Sequence, residues 1–353
     1  MDRLALGTLS LGLLLGCRGL LAQDTAQTPP ATIQVGTQLV LVPTTVETKK
    51  GEVIYQLDAS QFELEDNGVR QRVRLEEGTG AARPLSLVVV AQCSRSEDRQ
   101  AMNLRGLATM VGALLGGAPA EVAVVRFGSG SELVSPFTTD ERRRNEALSQ
   151  LQPCDDAGDT IFDAVDYANT LLDAHAAHTP FPNARRAILL ISETRDHGSQ
   201  TKPEVVIREL GRSNTVLDAV SFLPGKTELG DAVRNPGTGS GVIGLLLMAV
   251  QALRTNAAKE FARMSGGEYL NFTNQKGFER GLTTLANHVH NYYLLSFRPT
   301  FPADTSGSTA AAPGLHSITV KVPLYSEALV HHRESYWNPA PGESAPVQAT
   351  PTP

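Results

Sequence analysis

At 353 residues the chain exceeds one average domain, which favours a large domain with smaller modules beside it. A net charge of −6 and an aromatic share of 5% argue against a nucleic-acid partner, since such a face needs clustered cations and stacking rings. Three cysteines are too few for a disulfide scaffold.

The amino terminus reads as an export signal over residues 1–22. Asp2 and Arg3 precede an apolar run from Leu4 to Gly16, too short to span a bilayer, and small residues follow up to Ala22. A competing reading is a lipoprotein signal, in which Leu14-Leu15-Gly16-Cys17 would place the lipid on Cys17. Both readings send the chain out of the cytoplasm, to the periplasm, the cell surface or the medium, with no transmembrane segment left in the mature protein. Residues 23–31 then read as a linker.

Residues 32–80 read as a small β module. Val40, Leu41 and Val42 lie in a long strand, Phe62 to Glu65 form another, and Asp66-Asn67-Gly68 signals a tight hairpin into a return strand from Val69 to Arg74. From Arg83 the pattern changes to strands alternating with helices. Leu85 to Val90 is a nearly unbroken apolar run, the pattern of a parallel strand buried on both faces. Further strands are expected at Glu121–Phe127, Glu132–Pro136, Arg186–Ser192, Val216–Leu223 and Tyr269–Phe272, with helices between them. This alternation predicts an α/β fold with a doubly wound, mostly parallel sheet over residues 84–290. Lys226 to Gly241 reads as a mobile loop. Gly241 to Leu253 is strongly apolar and reads as a core helix or, alternatively, as an exposed patch for a partner or membrane surface. Residues 291–337 return to β structure, at Tyr292–Arg298, Ser317–Val322 and Leu329–Tyr336. They are expected to pack on the first module, because neither segment is long enough for a core of its own. The tail, 338–353, is rich in proline and reads as disordered.

Three loops fall at the carboxyl edge of that sheet, where ligands bind in doubly wound folds. They hold Gln92-Cys93-Ser94-Arg95-Ser96, then Thr160, then Glu193. With their flanks, AGDTIFDAV and RRAILLISETRDHGS, they resemble the metal-ion-dependent adhesion site of von Willebrand factor A domains. The wider arrangement, β segments before and after such a domain, resembles an exported family of these proteins from acidobacteria. The resemblance implies a Rossmann-like fold and a site for Mg2+ or Mn2+ built from Gln92, Ser94, Ser96, Thr160 and Glu193. The family pattern has Asp at the first and last of these positions. Gln92 loses a charge and Glu193 adds a methylene, so the resemblance implies a degenerate site that holds the ion weakly or not at all. Glu97, Asp155, Asp156, Asp159 and Asp196 lie near in sequence; they read as helix caps and solvated loop, or as compensating ligands. In the resembled fold the loops bearing Cys93 and Cys154 converge, which implies a disulfide between them in an oxidising compartment; the other reading of Cys93 is a small apolar residue tucked under its loop.

Catalytic signatures are missing: the chain contains no Gly-x-Ser-x-Gly elbow, no His-Glu-x-x-His and no phosphate loop. The function expected is therefore a non-enzymatic, exported protein-binding or adhesion-type module whose partner is an unidentified protein. The alternative is a structural, assembly role in the cell envelope with an inert site.

Overall fold

The computed structural model describes residues 39–76, 83–93, 107–156, 158–181, 183–222, 242–272, 275–302, 311–340 and Glu343. The expected signal and linker, the loop 226–241, and Ser94, Ser96 and Glu97 lie outside the described residues.

The first described elements are β1 (Val40–Glu47), β2 (Glu63–Asp66), β3 (Val69–Gln71) and β4 (Arg74–Leu75). Then come β5 (Leu85–Gln92), α1 (Leu107–Leu115), β6 (Ala120–Phe127), β7 (Ser131–Thr138), α2 (Glu141–Ser149) and α3 (Ile161–His175). They are followed by β8 (Arg185–Ser192), α4 (Pro203–Ser213), β9 (Val216–Phe222), α5 (Val242–Thr255), α6 (Ala257–Ser265), β10 (Tyr269–Phe272) and α7 (Gln275–His290). The chain closes with β11 (Tyr293–Phe297), β12 (Gly314–Lys321), β13 (Leu329–His332) and β14 (Ser335–Asn338).

The central sheet has the order β10-β9-β8-β5-β6-β7, parallel throughout except for β7, which runs antiparallel at one edge. All eight residues of β5 are buried, as a strand covered on both faces requires. Val88 and Val90 face a core shared with α3, α4, α5 and α6, while Leu87 and Val89 face the core of α1, α2 and α7. The apolar stretch in α5 divides between the two readings of it. Ala249, Val250 and Leu253 are buried, whereas Ile243 and Leu247 stand 77% and 64% exposed. No helix among the described residues is long and apolar enough to cross a membrane.

The strands from the two ends of the described chain form two further antiparallel sheets around one core. Their orders are β13-β1-β11-β4 and β14-β12-β2-β3. Asn67 and Gly68 hold φ of 48° and 81°, the positive values a two-residue hairpin turn demands. Two stretches that read as single strands are each divided between the sheets. Val69–Gln71 pairs with β2, whereas Arg74–Leu75 crosses to β11. Similarly, Leu329–His332 pairs with β1, and Ser335–Asn338 pairs with β12.

Arg333 marks the second crossing. Its side chain is buried, and its guanidinium donates to the carbonyls of Ser335 (2.7 Å), Leu41 (3.2 Å) and Gly211 (2.5 Å) and to the Asn214 side-chain oxygen (2.5 Å). None of these acceptors is a carboxylate, and burial pushes the group down to about 10, still a cation at neutral pH. Gly211 and Asn214 lie at the carboxyl end of α4, where the helix dipole favours positive charge. Arg333 thus ties the β strands to the helices of the central sheet. Deeper in the β core, His316 sits between the Asp66 carboxylate and the Ala312 carbonyl, 2.7 Å from each. Tyr336 donates to the same carboxylate, and burial, with Asp66 beside it, raises its phenol far above the usual range.

Two outcomes follow for stability. Arg333→Met strands the acceptors around it and should cost about 3 kcal/mol or more in urea unfolding, while Arg333→Lys, which lacks the planar fork, should recover only part of that. His332 donates through Nδ1 to the Arg333 carbonyl (2.9 Å) and accepts at Nε2 from the Val320 N–H (3.3 Å), so its folded form is neutral. Burial lowers its pKa below the ordinary 6.5. The unfolded chain then takes up this proton at higher pH than the folded one, and stability falls as pH drops below about 6.5. Melting curves between about pH 7.5 and pH 5.5 should show a shallower decline for His332→Gln than for the wild type.

Candidate functional site

Strand β5 is where the order of the central sheet reverses. The chain leaves it for β6 on one side and returns through β8 on the other, so a crevice opens at the carboxyl ends of β5 and β8. Four segments meet there: Cys93 after β5, residues 128–130 after β6, residues 154–156 and 158–160 before α3, and residues 193–200 after β8.

Gln92 ends β5 and is only 2% exposed. Its side-chain Nε2 donates to the carboxylate of Asp159, and its Oε1 accepts from the backbone N–H of Glu193 at 2.7 Å. A carboxylate on one side and an N–H on the other leave one workable orientation for the amide. Asp159 also takes part in the bridge to His197, whose N–H donates to the Asp159 carbonyl (2.9 Å) and whose ring nitrogen stands 3.7 Å from the carboxylate. One side chain therefore joins the end of β5 to the second and third site loops.

The next residue adds a covalent tie. A disulfide links Cys93 to Cys154, with Cα atoms 5.2 Å apart, and the Cys154 N–H donates to the Cys93 carbonyl at 2.7 Å. Thr160 is buried at the start of α3, and its N–H (3.1 Å) and hydroxyl (2.8 Å) both donate to the Gly128 carbonyl. Because that hydroxyl is turned away from the helix, another group caps α3. Asp196 does so, accepting from the Phe162 N–H (2.9 Å) and from the Ser199 hydroxyl. Asp163, in the first turn of α3, accepts in return from the N–H groups of Gln200 (3.0 Å) and Thr201 (2.7 Å).

Asp156 holds the loop after β6. It accepts from the N–H (2.7 Å) and hydroxyl of Ser129 and from the Gly158 N–H (2.9 Å). The approach is so close that a Cβ on Gly128 would lie 2.4 Å from the Asp156 carboxylate, and one on Gly158 would lie 2.4 Å from the Ser129 backbone. Glycine is the residue these positions admit.

Of the residues expected to hold a metal, Gln92, Thr160 and Glu193 come together here, and Ser94 and Ser96 lie outside the described residues. A hard divalent cation needs several oxygen ligands directed at one point, and here the Gln92 and Thr160 side chains are engaged with neighbouring loops. The Gln92 oxygen accepts from a backbone N–H, its Nε2 donates to the Asp159 carboxylate, and the Thr160 hydroxyl donates to a carbonyl. Among the described residues no group of three or more His, Cys, Asp or Glu is placed to hold a metal. Sequence reading missed the loop at 128–130 and the roles of Asp156 and Asp159 as ties between loops. The signal available for the first was the Gly128-Ser129-Gly130 turn directly after a buried strand.

The same loops carry exposed polar side chains, Asp155, Arg195, His197 and Gln200.

Residues 87–195 match the family model of the von Willebrand factor type A domain. No curated protein matches the chain. Among solved structures it is similar to the conserved hypothetical protein BatB from Bacteroides thetaiotaomicron, at 15% identity and a TM-score of 0.39, over 58% of this chain and 98% of that one. It is similar to proximal thread matrix protein 1 from the mussel byssus, in the form with a zinc-occupied MIDAS motif, at 10% identity and a TM-score of 0.43, over 62% of this chain and 48% of that one. A third likeness is to a von Willebrand factor type A protein from Catenulispora acidiphila, at 14% identity and a TM-score of 0.40, over 72% of this chain and 51% of that one. The chain thus spans about half the length of the mussel and Catenulispora proteins. The matched stretch, Leu87 to Arg195, carries the site loops from β5 to the turn after β8.

Proposed function

We propose that the protein is an exported, non-enzymatic binding module that presents the carboxyl-edge loops of its type A domain to a protein partner, with residues 1–22 as the export signal. The observation that carries this reading is the construction of the face itself. Gln92, Asp156, Thr160, Asp196 and the 93–154 disulfide tie these loops to one another, while Asp155, Arg195 and His197 are exposed on them. A preorganised polar rim on rigid elements loses little entropy on binding and so suits recognition. The chemistry at the face points the same way, since both cysteines there are joined to each other and His197 faces a carboxylate rather than a nucleophile. Recognition at this rim needs no ion.

A second reading, assembly through the β module, is favoured by one observation. Tyr55, Leu324, Tyr325 and Leu329 are exposed on the β segments, where a soluble surface would keep large apolar groups few.

Affinity capture from the native envelope separates the two. Wild-type protein, the rim variant Arg195→Glu/His197→Ala, and the β-module variant Tyr55→Ser/Leu324→Ser would each be used as bait. The proposal predicts one protein captured by the wild type, retained by the β-module variant, and reduced at least about tenfold with the rim variant, the scale of losing an interfacial charge contact. Capture that survives the rim variant and is lost with the β-module variant would establish the assembly reading instead.

A further inference from the structure

We infer that the Gln92 amide does inside this chain what a bound cation would otherwise be needed to do, so that the recognition face is locked in one arrangement without divalent ions. Hard cations are suited to drawing together carboxylate and carbonyl oxygens from separate loops. Here the same task falls to one neutral side chain. Its Nε2 donates to the Asp159 carboxylate, and its oxygen holds the N–H that begins the loop after β8. The amide is buried, so each of its bonds must be kept or replaced, and an ion that drew the Asp159 carboxylate to itself would break the first.

The surroundings leave no slack for such an exchange. The Gln92 oxygen is engaged by the Glu193 N–H, and turning the amide would set its N–H group against that N–H and its oxygen against the Asp159 carboxylate. Moving the loops apart instead would strain the 93–154 disulfide, the Asp156 bonds to Ser129 and Gly158, and the paired bonds of Thr160 to Gly128. Asp159 is held a second time through His197. A partner therefore meets side chains of this rim, such as Arg195 and His197, and not a bound ion. That consequence rests on the binding reading above; the clamp itself does not, and it is tested without any partner.

The test uses the full exported chain in melting and calorimetric titrations with Mg2+, with Mn2+ and with EDTA. The wild type is expected to keep its Tm within about 1 °C in ~10 mM ion or chelator and to give no saturable heat, since an ion held at a hundredfold excess over its Kd would raise Tm by several degrees. Gln92→Glu sets two carboxylates against each other where one donor pair stood. It should lower Tm by several degrees in EDTA and make Tm rise with added Mg2+ or Mn2+. Saturable binding by the wild type, with a rise in Tm that Thr160→Ala abolishes, would overturn the inference. So would a Gln92→Glu protein as stable as the wild type in EDTA. Should that variant fail to fold, the wild-type titration alone decides the matter. Failure here leaves the capture experiment untouched, and failure of capture leaves the clamp untouched.

Discussion

A side-chain amide buried between a carboxylate and a backbone N–H satisfies both only while all three stay in place, and Gln92 is such an amide. It stands at the end of the most buried strand of the central sheet, at the point where the strand order turns back. Each later piece of the face is registered on that point. The disulfide begins one residue further on, Asp159 leads directly into α3, and Glu193 opens the loop whose Asp196 caps α3. The arrangement is a closed circuit of short ties, so disturbing one member shifts the rest. In such polar networks the cost of a half-satisfied state is what enforces a single conformation.

A second constraint joins this domain to the β strands drawn from both ends of the described chain. Arg333 is a cation surrounded by carbonyl and amide oxygens, and its charge is matched by the carboxyl end of α4 rather than by an acid. Gly211 and Gly266 sit against Trp337 and Arg333 so closely that a Cβ on either would lie within 3.0 Å of a backbone or side-chain atom. The β module and the central sheet therefore share one junction, and the loops at the carboxyl edge rest on a scaffold braced from below.

Much of this was legible in the sequence, and what was not has identifiable causes. The run Leu85 to Val90 announces a doubly covered strand because burial on both faces removes alternation. The hairpin at Asn67-Gly68 is legible because few residue pairs accept two positive φ angles. By contrast, Leu329–Tyr336 reads as one strand, since nothing local shows that Arg333 will turn inward toward α4, more than a hundred residues earlier. Val69–Arg74 is divided for a similar reason, its last residues having a better partner in β11. The candidate site was legible as a place and only partly as chemistry. Composition shows that Gln92 brings one charge fewer than Asp would, but not that its amide would point one end at Asp159 and the other at Glu193, because that depends on where two distant loops stop.

The most direct measurement is a crystal structure of the full chain grown with ~10 mM Mn2+, a concentration that would fill a site of millimolar affinity, and read by anomalous scattering. The account predicts no anomalous peak within ligand distance of Gln92 or Thr160, with the Gln92 amide still seated between the Asp159 carboxylate and the Glu193 N–H. A Mn2+ peak bound by the Gln92 oxygen and the Thr160 hydroxyl, with Asp159 swung away, would contradict it.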